Sequence, residues 1–291
     1  MIGIIGGSGL YDMAGLEIEA ERQIDTPFGR PSDAVRVGRL DGVPVAFLAR
    51  HGRGHRLNPS EVPYRANLWA LKSQGVRAVL SVSAVGSLRE DIAPGHMVFV
   101  DQFIDRTRGQ RPHTFFEGGC VAHVSMADPT CPSVSELLVK AATADGVTFH
   151  RGGTYVCIEG PQFSTRAESR LYRRWGADVI GMTNLTEAKL AREAELHYAT
   201  IAMSTDYDVW HESEEDVTVE GVLATMRQNV AVTQRLIRHV VPELAERLSR
   251  EFSCVCERSL DFAVMTAPGL TPPETEARLE LLTARSRGAA K

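Results

Sequence analysis

Short apolar runs that end in glycine alternate along this chain with stretches of helical spacing. Ile2–Ile5 closes on Gly6-Gly7-Ser8-Gly9, and Pro44–Ala49 ends at Arg50-His51-Gly52. Both read as strands. Val62–Ser73 carries Leu68, Trp69 and Leu71 at helical spacing, and Gly75 supplies a stop signal. Arg77–Ala84, Met97–Val100, Thr154–Ile158 and Tyr198–Ser204 read as further strands. Glu187–Glu195 is an Ala/Leu/Glu-rich helix, and Val219–His239 is a long amphipathic one. A second helix is expected after Pro242. The tail, 267–291, opens with Pro268, Pro272 and Pro273 before a charged helical stretch, and reads as a peripheral C-terminal appendage. The alternation predicts one α/β domain over 1–266, a central mixed β-sheet flanked by α-helices. In such folds functional residues gather at the carboxyl ends of strands. That rule selects Gly6–Gly9, Arg50-His51, Ser83-Ala84, Met182-Thr183 and Thr205–Asp208.

The last of these poses the sharpest question. The strand I-A-M-S-T-D-Y-D, 201–208, ends in two acids. Side chains at i and i+2 of a strand share a face, so Asp206 and Asp208 are expected to point the same way. Two like charges side by side are costly unless a ligand or a shared proton is held between them. The other strand ends offer anion chemistry. G-G-S-G is neither a dinucleotide fingerprint nor a Walker loop; it reads equally as an anion-holding backbone nest or as a tight turn. Arg50 carries a planar fork suited to phosphate. His51 and His55 are four apart, but Gly52 and Gly54 argue against the helix a metal pair would need, so zinc is rejected there. Ser164 is expected to cap a helix, with Glu168 near the capping-box position. Phe163 is a core aromatic or a stacking platform.

Composition narrows the class. The chain has 291 residues, 43% hydrophobic and 24% charged, as in ordinary globular proteins. Thirty-two basic against 37 acidic residues give a net charge of −5, which argues against nucleic acid as a partner. No apolar run suggests a membrane span, and the N-terminus lacks the basic region of a signal peptide, so a cytoplasmic location is expected. The five cysteines read as buried thiols. C-V-C at 254–256 is too tight for metal-finger spacing and has no second Cys or His pair nearby in sequence, so no metal site is expected.

Nine stretches in order carry a resemblance: I-G-G-S-G, D-T-P-F-G-R-P-S-D, A-R-H-G-R-G-H, Y-R-A-N-L-W-A-L-K, A-V-G-S-L-R-E, D-Q-F-I-D-R-T, I-E-G-P-Q-F-S-T-R-A-E-S, G-A-D-V-I-G-M-T and T-D-Y-D-V-W. From Gly3 to about Thr266 the chain resembles the S-methyl-5'-thioadenosine phosphorylases, within the purine nucleoside phosphorylase family. The resemblance implies a nucleoside phosphorylase-like fold and cleavage of methylthioadenosine by phosphate, a co-substrate, with no cofactor and no metal. It implies phosphate among Ser8, Arg50, His51, Ser83, Thr183 and the N–H of Ala84, with ribose at Met182. It implies the purine near Phe163 and Ser164, with Asp206 and Asp208 at its N6/N7 edge. Val219, Val222 and Met265 would form the 5' pocket. His123 would arrive from a neighbouring subunit, which implies a trimer or hexamer. Asp206 would be the proton donor, its pKa raised by burial and by Asp208. Ser8 and Ser83 stand where threonine is frequent, and Thr186 where proline is usual. Relatives acting on 6-oxopurines or on methylthioinosine tend to carry asparagine at position 206, so that activity is the nearer alternative. A hydrolytic nucleosidase and a passive binding module are the more distant ones.

Overall fold

The computed structural model describes residues 1–10, 13–211, 219–250, 252 and 254–289, with the backbone alone at 8, 219–224 and 287–289. In chain order the elements are β1 (Ile2–Gly6), β2 (Leu16–Arg22), β3 (Val35–Leu40), β4 (Val43–Ala49), α1 (Tyr64–Ser73), β5 (Ala78–Ser87), β6 (Met97–Phe99) and β7 (Gln102–Arg106). Then come α2 (Pro132–Ala144), β8 (Phe149–Arg151), β9 (Thr154–Ile158), α3 (Arg166–Arg174), β10 (Val179–Gly181), α4 (Asn184–Glu193), β11 (His197–Asp206), α5 (Val219–Ser249) and α6 (Pro273–Ala289).

The strands form one mixed sheet that forks at β5. One path runs β2-β3-β4-β1-β5-β10-β9-β7; on the other, β11 pairs with β5 and leads through β6 to β8. Strand β5 is ten residues long, which lets it serve both branches. It lies parallel to β11 from Ala78 to Gly86 and to β1 over its first half, while Gly86 and Ser87 pair antiparallel with β10.

Period-2 alternation divides the core into two layers. Ile2, Ile4, Phe47 and Leu80 face α2 and α5, meeting Val134, Leu138, Leu236, Ile237 and Leu244. Ile5, Leu48 and Val79 face the other way, toward Leu68 and Leu71 of α1, Ala188 and Leu190 of α4, and Leu279 and Leu282 of α6. The segment read as a C-terminal appendage therefore ends in a helix with two leucines fully buried beside α1 and α4.

Three local readings are corrected. Helix α5 does not end near His239 but runs through Pro242 to Ser249. A proline inside a helix costs about 3 kcal/mol. Here the ring sits on the exposed side, and Val240, Val241, Leu244 and Leu248 on the opposite side are buried, so packing outweighs the missing hydrogen bond. The cap of α3 is Thr165 rather than Ser164: its side chain accepts from Glu168 N–H while Glu168 reaches back to Thr165 N–H. Strand β11 continues to Asp206, two residues beyond the expected Ser204.

Candidate functional site

Topology brings the selected loops together. Strands β4, β1, β5 and β11 are mutually parallel, so Arg50-His51, Gly6–Gly9, Ser83-Ala84 and Thr205–Asp208 emerge at one end. Strand β10 enters antiparallel to the tip of β5, with Ile180 opposite Gly86, and so runs back to deliver Met182 and Thr183 beside Ser83–Val85. The result is a cleft of about 910 Å³. Arg50, His51, Ser83, Ala84, Phe163, Ser164, Met182, Thr183, Asp206 and Asp208 all line it, with Gly7 and Gly9 at the turn that carries Ser8. The side chains of Ser8, Val219 and Val222 lie outside the described residues.

At one end sits Arg50, 3% exposed. Its Nε donates to Glu187 Oε1 at 2.5 Å, Nη2 to Glu187 Oε2 and Ser81 Oγ, and Nη1 to the Val82 carbonyl. Four of five guanidinium N–H groups are thereby used, which leaves one without a partner among the described residues. Glu187 also accepts from Ser81 Oγ at 2.6 Å and Tyr198 Oη at 3.0 Å, and Asn184 Nδ2 donates to Ser81 Oγ. The sequence reading missed this carboxylate. Its partner lies 137 residues away, and the signal that could have exposed it is an acid in the first turn of a helix flanked by apolar residues. His51 Nδ1 lies 2.8 Å from the Leu57 carbonyl, so Nδ1 carries the hydrogen and Nε2 is left as an acceptor. Burial, with the Arg50 charge beside it, pulls the imidazole down to about 4, so it is neutral at pH 7. Thr183 is the N-cap of α4, yet its hydroxyl makes no capping bond, so it stands free beside the positive end of that helix.

At the other end are the two acids. They do share the cleft, but not through strand alternation: β11 stops at Asp206, and Asp208 sits in the left-handed region at φ 52°, where aspartate is tolerated. Asp206 Oδ1 accepts the Asp208 N–H at 2.8 Å, and Oδ2 lies 2.7 Å from Thr205 Oγ1. Ser164, freed from capping, donates to the Asp208 carboxylate at 2.9 Å. Gly86 makes room for both acids, because a Cβ there would lie 3.0 Å from Asp206 Oδ1 and 3.2 Å from Asp208 Cβ. Burial raises the pKa of Asp206, against hydrogen bonds that favour the anion. The pKa of Asp208 is raised as well, first by burial and then by the charge of Asp206. Phe163, 67% exposed, stands over this end as an unpacked ring.

A cleft with an ion-paired arginine and the Thr183 hydroxyl at one end, and two protonatable acids at the other, suits an anion facing a polar heterocycle. The family model described as the phosphorylase superfamily matches residues 1–242. The chain belongs to that superfamily. An S-methyl-5'-thioadenosine phosphorylase of Geobacter sulfurreducens is 55% identical over 97% of each chain. One of Chloroflexus aurantiacus is 55% identical over 98% of this chain and 97% of its own. Among solved structures, a methylthioadenosine phosphorylase from an Antarctic soil metagenomic library aligns with a TM-score of 0.90 at 50% identity, covering 97% of this chain and 98% of its own. The methylthioadenosine phosphorylase of Schistosoma mansoni in complex with adenine aligns at 0.81 and 36%, covering 97% of both.

Two candidates fall outside the cleft of this phosphorylase-superfamily chain. His123 and Met265 lie on a two-stranded ribbon, where His123 N–H donates to the Ala263 carbonyl and Met265 N–H to that of Val121, both at 2.8 Å. The ribbon exposes Val121, Val264 and Met265, with Phe262 wholly exposed beside it. Arg111 is a further residue the sequence reading missed. It is fully buried, and it donates to the carbonyls of Met182 and Glu159 and to the Glu159 carboxylate. It thus fixes the backbone on two sides of the cleft. Among the described residues the only group placed to hold a metal ion lies elsewhere, at Cys131, His197, Cys254 and Cys256.

Proposed function

We propose that this chain cleaves S-methyl-5'-thioadenosine with inorganic phosphate, yielding adenine and 5-methylthioribose 1-phosphate, a salvage step for the purine and the methylthio group. The observation that carries the reading is the pairing of a buried, pKa-raised Asp206 with Arg50 and Thr183 in one cleft. The names of the relatives support it.

Phosphate would lie on the remaining Arg50 N–H, the Ser8, Ser83 and Thr183 hydroxyls, the N–H of Ala84 and His51. Ribose would lie at Met182, and the purine between Phe163 and the acids. As a phosphate oxygen bonds to C1', the C1'–N9 bond breaks and its electron pair moves into the purine. Positive charge gathers on the sugar, next to the anion. Asp206, protonated, donates to N7 as that charge develops, and accepts from the 6-amino group; positioned acid catalysis of this kind contributes ~10²–10⁴-fold. Ser164 holds Asp208 in place beside it. No cofactor takes part.

The active form is a homo-oligomer, a trimer or hexamer. The apolar ribbon of Val121–His123 and Ala263–Met265 supports this: it would meet a neighbour and bring His123 and Met265 to the 5' end of that neighbour's cleft, beside Val219 and Val222. Net charge offers nothing to nucleic acid, no helix among the described residues is long and apolar enough to cross a membrane, and the compartment is the cytoplasm.

The deciding experiment measures base release from methylthioadenosine, adenosine, inosine and methylthioinosine, with and without phosphate. Phosphate-dependent cleavage favouring the 6-amino substrates is expected. Release without phosphate would mean a hydrolase, and a preference for inosine or methylthioinosine would move the activity to the 6-oxopurines.

A further inference from the structure

Away from the cleft, four ligand-type side chains from three separate parts of the chain converge. Cys131 precedes α2, His197 opens β11, and Cys254 and Cys256 follow α5. Cys131 Sγ is 3.4 Å from His197 Nδ1 and 3.5 Å from Cys254 Sγ, and Cys254 Sγ is 3.1 Å from Cys256 Sγ. All four donor atoms lie within 4.8 Å of one another. From these distances we infer that Cys131, His197, Cys254 and Cys256 form a structural zinc site.

Zinc–sulfur bonds of about 2.3 Å in a tetrahedron place neighbouring donors about 3.8 Å apart. A disulfide would need about 2.05 Å and would engage only two of the three thiols. The observed spacings lie nearer the tetrahedral edge, and they include the imidazole, which a disulfide would not explain. Three thiolates and one imidazole fill all four positions, so the site is closed to substrate and structural in kind.

The surroundings fit a metal-bound thiolate cluster. Cys131 is the N-cap of α2 but makes no capping hydrogen bond, so its sulfur turns to His197 and Cys254 rather than to the helix end. Its N–H donates to the Tyr198 carbonyl at 2.7 Å, which anchors it beside His197. Arg192 Nη1 donates to Cys256 Sγ at 3.6 Å, and the Cys256 N–H to Cys254 Sγ at 3.5 Å. Arg192 offsets the net negative charge of one zinc with three thiolates. His197 is wholly buried, and its outer nitrogen, Nε2, lies 3.2 Å from Glu257 Oε1. That pair is close but not aligned for a hydrogen bond; a small turn of the carboxylate would make it the acid that orients a zinc-bound histidine. The sequence reading dismissed C-V-C because its partners stand 123 and about 60 residues away and only folding brings them in.

The test is elemental analysis of untagged protein purified under reducing conditions without added metal. About one zinc per chain is expected. Cys254→Ser and Cys256→Ser should lose it, while Cys120→Ser, a buried thiol outside the cluster, should keep it. If the variants fail to fold, wild-type protein refolded with cobalt gives an independent answer. Intense tetrahedral thiolate absorption supports the site; weak six-coordinate absorption overturns it. Folded, reduced protein that carries no zinc after incubation with zinc and gel filtration overturns the inference. So does iron or copper in zinc's place, or a disulfide among these cysteines found by non-reducing peptide mapping.

Discussion

Asp206 and Glu187 are two acids buried for opposite purposes. Asp206 is kept where its proton is hard to lose, so Asp206→Ala should lower kcat on methylthioadenosine by ~10²–10⁴-fold while the melting temperature holds. Burial puts its folded-state pKa above the unfolded one. Its contribution to stability is therefore full below the unfolded pKa and is lost as pH rises through the folded value. Two consequences are measurable. The kcat of the wild type should fall as pH rises through that folded value, and Asp206→Asn, which never carries the charge, should melt higher than wild type in alkaline buffer and show no such gain in acid. Glu187 is instead held in a buried ion pair with Arg50. Removing one partner of a buried ion pair typically costs about 3–5 kcal/mol. Glu187→Ala should therefore lower the melting midpoint sharply and raise the KM for phosphate, because Arg50 loses its orientation. A variant of unchanged phosphate KM would detach Glu187 from the anion end.

At the scale of elements, β1, β4, β5 and β11 were legible because they are apolar runs closed by glycine or by the site itself, whereas β2, β3, β7, β8 and α2 drew no expectation. What local pattern could not show was decided by contacts distant in sequence. Pro242 stays helical because the far side of α5 is buried, and Ser164 yields the cap to Thr165 because Thr165, not Ser164, stands three residues before Glu168. Helix α4 illustrates a cost hidden in the same way. Near its end Glu193 accepts from Phe115 N–H and Thr114 Oγ1, both at 2.7 Å, yet burial raises its pKa to about 7. The raised value means that this carboxyl favours folding below about pH 4.5 and that the contribution fades as pH climbs to about 7. Glu193→Gln keeps both contacts if the Thr114 hydroxyl turns to accept. It should raise the melting temperature at about pH 8 and leave it unchanged at about pH 4. A gain of equal size at both would mean that charge is not the cause.

For the molecule as a whole, nine motifs spread over most of the chain made the family readable, and several of them mark the loops that the parallel strands β1, β4, β5 and β11 gather at one end. The links between those loops were not readable: Arg50 with Glu187, Arg111 with Met182, and the cysteines with His197 are each joined by folding alone. If the proposed assembly forms, the exposed ribbon is the surface that would join its chains. Light scattering of the wild type should report a trimer or hexamer, and Val121→Asp should dissociate it and raise the KM for methylthioadenosine more than that for phosphate. An intact assembly with unchanged constants would leave that surface without a role. The tautomer of His51 has a last consequence. Its lone pair, held on Nε2 by the grip of the Leu57 carbonyl on the other nitrogen, asks an incoming oxyanion to bring its own hydrogen. Hydrogen phosphate carries one at neutral pH and sulfate does not, so sulfate should compete poorly even though its size and shape are nearly the same.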